Sequence, residues 1–290
     1  MGKVTSLIEF NGGVGNLVGY KGRDGRNVIR HKVYDVKNAK TTLQMRRRVA
    51  WGNLVQIWGA LMPHMEPAFE SKTAGQTQFN AFMQMNVDGN DVVYLKKNEM
   101  RLGVCVVAPV LISEGTLPAI TTSTISGGRV VTNIALGDLA SLDECTVSNF
   151  SKAILNNNTG WEEGDQLTII YMEQMLEGTD QVPKTDVKVT KVVLTKEDNT
   201  SLADVCDITL MGIADGYLAY TRTITGGLAY IQSRKEGGMT KVSTARLMVN
   251  NTLLESYCSR SAQNAAIKSY GGAKEKYLTP ITDEYLSRHV

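Results

Sequence analysis

Residues 41–62 read TTLQMRRRVAWGNLVQIWGALM, and here the chain changes its period. Leu43, Arg47, Ala50, Leu54, Ile57, Trp58, Leu61 and Met62 recur at helical spacing, and the hydroxyl of Thr41 or Thr42 can cap the start. Pro63 and Pro67 mark its end or a break just beyond it. Arg46, Arg47 and Arg48 fall in the opening turns, where the helix dipole disfavours positive charge. Three adjacent breaches of a local rule point to an acidic partner, or to a helix that begins a turn earlier. A second helix is predicted from Thr77 to about Asn86, with Phe79, Phe82, Met83 and Asn86 on one face. Trp51, Trp58, Phe79 and Phe82 then read as the packing between the two helices.

Upstream of Thr41 the chain reads as extended. Glycines at 12, 13, 15, 19, 22 and 25 punctuate it, and Arg23-Asp24-Gly25 between β-branched and aromatic residues signals a hairpin. Gly13-Val14-Gly15 lacks the third glycine of a dinucleotide fingerprint, since Val18 stands there, and there is no GxxxxGK[ST] phosphate loop. Downstream, strands are predicted over residues 101–112, 129–136, 166–172, 186–195, 203–211, 217–225, 227–234 and 241–249, separated by polar turns. LNNNTG at 155–160 reads as a loop, and Trp161 beside Glu162, Glu163 and Asp165 as a strand-edge ring with a solvated acidic turn. SAQNAAIKSYGG closes as a short helix stopped by Gly271 and Gly272, and the amphipathic tail after it needs something to pack on.

The expected fold class is α+β. An extended glycine-rich hairpin arm spans 1–40 and a helical segment 41–95. A β-sandwich-like body follows over 96–250, then a C-terminal helix and extended tail over 251–290.

The 290 residues are 42% hydrophobic and 21% charged, enough for a buried core and against wholesale disorder. No apolar run approaches the ~18–20 residues of a membrane span, and the opening MGKVTSLIEFNGG lacks the apolar core of a leader, so a soluble, non-secreted protein is expected. Cys105, Cys145, Cys206 and Cys258 form no CxxC pair and read as free, mostly buried thiols. His31, His64 and His289 stand apart from any nucleophile-like setting. No metal, cofactor or catalytic group is therefore expected. A glycan hydrolase would need two converging carboxylates, for which Glu162, Glu163 and Asp165 supply acids but no sign of convergence.

Charge is unevenly placed. The 31 Lys and Arg against 29 Asp and Glu give +2, yet residues 21–48 hold ten basic residues and two acids, a local +8 that leaves −6 elsewhere. Arg23, Arg26, Arg30, Lys32, Arg46, Arg47 and Arg48 are the expected contact residues for a polyanion or an acidic protein surface. A nucleic-acid module would use the same segment, with Tyr20, Tyr34 or Trp51 available for stacking.

The runs GNLVGYKGRDGRNVIRHK (15–32), NAKTTLQMRRRVAWGNLV (38–55), GQTQFNAFMQMN (75–86) and VLISEGTLP (110–118) resemble an uncharacterised family of Bacteroidota chromosomes and their tailed, crAss-like phages. The matching positions are Asn16; Asn38, Thr41, Gln44 and Arg47; Phe79, Asn80 and Asn86; and Ser113, Gly115, Leu117 and Pro118. GGLAYIQSRKEGGMTKVSTARLMV (226–249) resembles the family's last hairpin more loosely. The resemblance brings no catalytic residue. It implies a structural or interaction protein, with the phage virion as its context. An arm and a tail at opposite chain ends add the expectation of a repeated subunit of a neck or tail ring that assembles through its terminal arms. Its partners would be copies of itself and other virion proteins, with no membrane.

Overall fold

The computed structural model describes residues 2–3, 12–22, 25–34, 38–65, 68–70, 72–73, 75–87, 92–101, 103–125, 129–178 and 181–275. Arg23 and Asp24 of the expected turn, Pro67 and the tail from 276 lie outside the described residues. The elements run β1 (Gly2–Lys3), β2 (Gly12–Val14), β3 (Leu17–Lys21), β4 (Asn27–His31), α1 (Thr42–Leu61), α2 (Gln78–Asn86), β5 (Leu111–Ser113), β6 (Thr122–Ile125), β7 (Arg129–Ala135), α3 (Val147–Asn157), β8 (Gln166–Glu177), β9 (Val182–Val193), α4 (Leu202–Val205), β10 (Gly212–Ala214), β11 (Tyr217–Tyr220), β12 (Gly226–Glu236), β13 (Met239–Val242), β14 (Ala245–Arg246), β15 (Met248–Asn250), α5 (Leu254–Cys258) and α6 (Arg260–Ser269). The chain is α+β, with antiparallel sheets throughout.

A sheet ordered β13-β12-β8-β9 lies at the centre, with β15 sharing the second edge of β12. β8 pairs with β12 from Gln166↔Ser233 to Glu173↔Gly226, and with β9 from Gln166↔Val193 to Glu177↔Val182. Leu167 to Met172 are all buried. Alternation sends Leu167, Ile169 and Tyr171 into one core and Ile170 and Met172 into another, which is why QLTIIYM reads as an apolar run rather than an alternating strand. On the first side the sheet faces β10-β11-β7-β6 and α3, through Val130, Ile134, Phe150, Ile154, Leu218 and Tyr220. That half is sandwich-like. On the other side lie Leu54, Ile57, Trp58 and Leu61 of α1, Phe82 of α2 and the extended residues 104–112. The helices thus make a third layer over the body, sharing its core.

α1 begins where Thr41 accepts from the Gln44 N–H and the Gln44 side chain accepts from the Thr41 N–H, a reciprocal cap at 3.3 and 3.2 Å. The helix therefore starts at the expected turn and no earlier. Its apolar stripe differs from the sequence expectation in the first half. Leu43 and Arg47 face solvent, whereas Met45 and Val49 pack with Tyr94, Ala266 and Ile267 of α6. Two buried faces, one per half, blur a single helical period. The Trp58 ring packs, tilted, against Phe82 at 5.2 Å and Phe79 at 6.2 Å, the expected packing of α1 on α2.

Three element predictions need correction. Arg101 and Gly103 belong to a turn, in which the Val104 N–H donates to the Arg101 carbonyl, and residues 104–110 lie outside any sheet, with strand β5 beginning only at Leu111. Their backbone is held by side-chain amides: Asn53 exchanges two bonds with Val106 and Asn86 two with Leu111, while Gln174 accepts from the Val107 N–H and donates to the Cys105 carbonyl. Residues 203–211 are not a strand but α4 followed by a turn of 3-10 helix, because Asp207 accepts from the Thr209 N–H and hydroxyl and bends the chain locally. The 155–160 loop begins later than expected, since Leu155 to Asn157 finish α3, whose start Thr146 caps at the Asn149 N–H.

Candidate interaction surface

The basic arm forms its own four-stranded sheet, ordered β1-β4-β3-β2. The predicted hairpin is β3–β4, in register from Leu17↔His31 to Lys21↔Asn27. No described residue of these strands belongs to any of the three apolar cores. Val14 is 62% exposed, and Leu17, Val33 and Tyr34 are exposed as well. Among the described residues these strands share none of the three cores and leave those side chains open, and short strands of that kind are stabilised when another surface covers them. Among the described residues, Arg30 and Lys32 form no ion pair; each lies over a ring, Arg30 5.5 Å from the Tyr20 centroid and Lys32 5.1 Å from that of Tyr34. Tyr34 donates to the Gly15 carbonyl at 3.2 Å, tying the end of the hairpin to the β2–β3 turn.

The seven expected contact residues therefore separate. Arg26, Arg30 and Lys32 sit exposed on the arm, and Arg47 and Arg48 sit exposed on the second turn of α1. Arg46 is a correction: only 7% of it reaches solvent, so it belongs to the packing beneath α1 rather than to an outer contact. Arg23 lies outside the described residues.

A complementary surface lies elsewhere on the chain, and the sequence reading did not locate it. Thr146 bridges Ser201; the Val147 N–H donates to the Thr200 carbonyl, Ser148 to Asp198 and Leu202 to Cys145, at 2.7–3.0 Å. These bonds lay the loop before α3 beside the segment around α4. Residues 137–152 and 196–207 together carry seven acids against two lysines, −5 of the −6 that balances the basic segment. Asp138, Asp143, Glu144, Glu197 and Asp204 are exposed and enter no ion pair among the described residues. The Thr200 hydroxyl and N–H hold the Asp198 carboxyl below its ordinary range. Only the pairing of Thr146 with Ser201, 55 residues further along the chain, reveals this face, so no local pattern could have found it.

The acidic turn at 160–165 is not solvated at its centre. Asp165 is wholly buried, gripped by Arg234 and by Gln232 at 2.7 Å, and Glu162 reaches the same guanidinium. These carboxylates hold β8 to β12. No group of His, Cys, Asp and Glu that could hold a metal occurs among the described residues, and all four cysteines are free thiols. Burial pushes Cys105 and Cys206 up to about 11. A groove of about 400 Å³ lies between the end of β8 and the start of α5, lined by Met175, Leu176, Thr223, Ile224, Asn250 and Leu253, with no charged side chain. No described helix is long and apolar enough to cross a membrane.

No protein-family model, curated protein or solved structure matches this chain.

Proposed function

We propose that the protein is a structural subunit of a tailed-phage virion, repeated in a ring of the neck or tail and held to its neighbours by its terminal arms. The arm sheet supports this reading most directly: among the described residues its four strands share none of the three apolar cores, and Val14, Leu17, Arg30 and Lys32 are exposed. Such a sheet is stabilised by covering, and being covered by, a neighbour. The resemblance over 15–32, 38–55, 75–86 and 110–118 supplies the virion context. Light scattering on the full chain, beside a truncation that begins at Asn38, tests it at low and high salt. Asn38 is chosen because it spares the Thr41 cap and the Lys40 carbonyl that accepts from the Lys274 N–H. A defined oligomer that vanishes on truncation is expected; one that survives truncation overturns assembly through the N-terminal arm.

A second reading rests on the Arg30–Tyr20 and Lys32–Tyr34 pairs, which set cations beside rings on an open sheet. That combination suits a single-stranded nucleic acid, with phosphates on the cations and bases stacked on the rings. Oligonucleotide anisotropy decides it. Binding that falls steeply with salt and is lost in Arg30→Ala supports this reading, and no binding at low salt removes it.

A further inference from the structure

We propose that the arm sheet of one copy docks on the acidic end of the next, the face formed by residues 138–144 and 197–207. This rests on the reading of the chain as a repeated subunit and adds the partner surface to it. Charge complementarity selects the occupant. Residues 1–40, which hold the arm sheet, carry eight basic residues against three acids, +5, and the two joined loops carry −5. Among the described residues, Asp138, Asp143, Glu144, Glu197 and Asp204 enter no ion pair, and neither do Arg30 and Lys32, which lie over rings.

Each surface also carries apolar side chains beside its charges. Val14 and Leu17 are open on the arm, and Val205, 47% exposed, stands between Asp204 and Asp207 at the acidic end. Burial of those groups adds contact that salt does not screen, while the charges orient the approach. The backbone bonds around Thr146 and Ser201 hold the acidic loops in place, so docking orders little on that side. Two different surfaces of one chain meet, so the contact is heterologous. It propagates head to tail and closes into a ring when the rotation per subunit allows.

The experiment uses three full-length chains in light scattering at low salt. The wild type stands beside an arm variant (R26E, R30E and K32E) and an acidic-end variant (D143K, E144K and E197K). Each variant alone is expected to associate at least about tenfold more weakly than the wild type, and an equimolar mixture to associate again, because every reversed surface then finds its opposite. Recovery in the mixture also separates lost charge pairing from misfolding. The docking fails, while the repeated-subunit reading stands, if the wild type assembles and truncation at Asn38 abolishes it but the acidic-end variant assembles unchanged. The docking also fails if the mixture stays monomeric. A wild type that is monomeric at every salt and concentration fails both. An arm variant that loses oligonucleotide binding but keeps its self-association gives the arm to nucleic acid and overturns the docking.

Discussion

Arg234 closes on Asp165 through two parallel hydrogen bonds, Nε to Oδ1 at 2.7 Å and Nη2 to Oδ2 at 2.8 Å, around a carboxylate wholly withdrawn from solvent. Gln232 and the Glu162 N–H take the remaining acceptor positions on Oδ2. Planar, bidentate donation is what a guanidinium offers and an ammonium does not. The pair fastens the turn before β8 to the outer half of β12, the two strands that organise both cores.

Replacing Arg234 with Met leaves that carboxylate buried without its counter-ion. The expected loss is about 3–5 kcal/mol of stability, measured as a lower urea midpoint at unchanged slope. A variant that unfolds at the wild-type midpoint would show that water reaches Asp165 and that the pair adds nothing.

Asn53 gives a second, independent test. Its side chain donates to the Val106 carbonyl and accepts from the Val106 N–H, both at 2.8 Å, in a site 2% exposed. It thus acts as a strand neighbour for a segment that has none. Asn53→Ala leaves two buried backbone groups unpaired and is expected to cost about 2–4 kcal/mol. Hydrogen exchange at Val106 should accelerate in step; unchanged protection there would refute the assignment.

That same segment marks where the sequence stopped being legible. VCVVAPVLI has the composition of a strand, and its extended conformation followed from that. What it pairs with did not follow, because the partners are single amides on α1, α2 and β8, far away in sequence. Helices with local signals were readable: Thr41 with Gln44, Thr77 before Phe79, and Gly271 after α6 each act within a few residues. α3 was missed because Val147, Phe150 and Ile154 sit among serines and asparagines that weaken the apolar pattern. The basic arm was visible as a run of charge. Its acidic counterpart was not, because its two halves meet only once Thr146 pairs with Ser201.

Two thiols, Cys105 buried and Cys206 half-buried, set a pH limit on stability. Cys105 and Cys206 rise from 9.0 to about 11 because burial disfavours the thiolate. An unfolded chain releases those protons near pH 9 while the folded chain retains them. Their contribution to stability is therefore full below pH 9 and lost as pH rises through about 11. At pH 8 the folded thiolate fraction at each site is on the order of a thousandth, so iodoacetamide should modify neither residue until denaturant is added. Rapid labelling of Cys105 in the folded protein would contradict its burial.

Removal of the arm is the sharpest prediction about how the chain is divided. The described strands β1 to β4 contribute no residue to the three cores, and the cap of α1 begins at Thr41. A chain starting at Asn38 should therefore keep the urea midpoint of the full-length monomer to within about 0.5 kcal/mol, the range of changes that disturb no buried contact. Its circular dichroism should lose only the small contribution of the arm strands. If truncation instead lowers the midpoint by several kcal/mol, the arm is part of the folded body, and loss of oligomer on truncation could no longer be read as loss of a docking surface. The acidic-end variant, which leaves the arm intact, would then be the discriminating measurement.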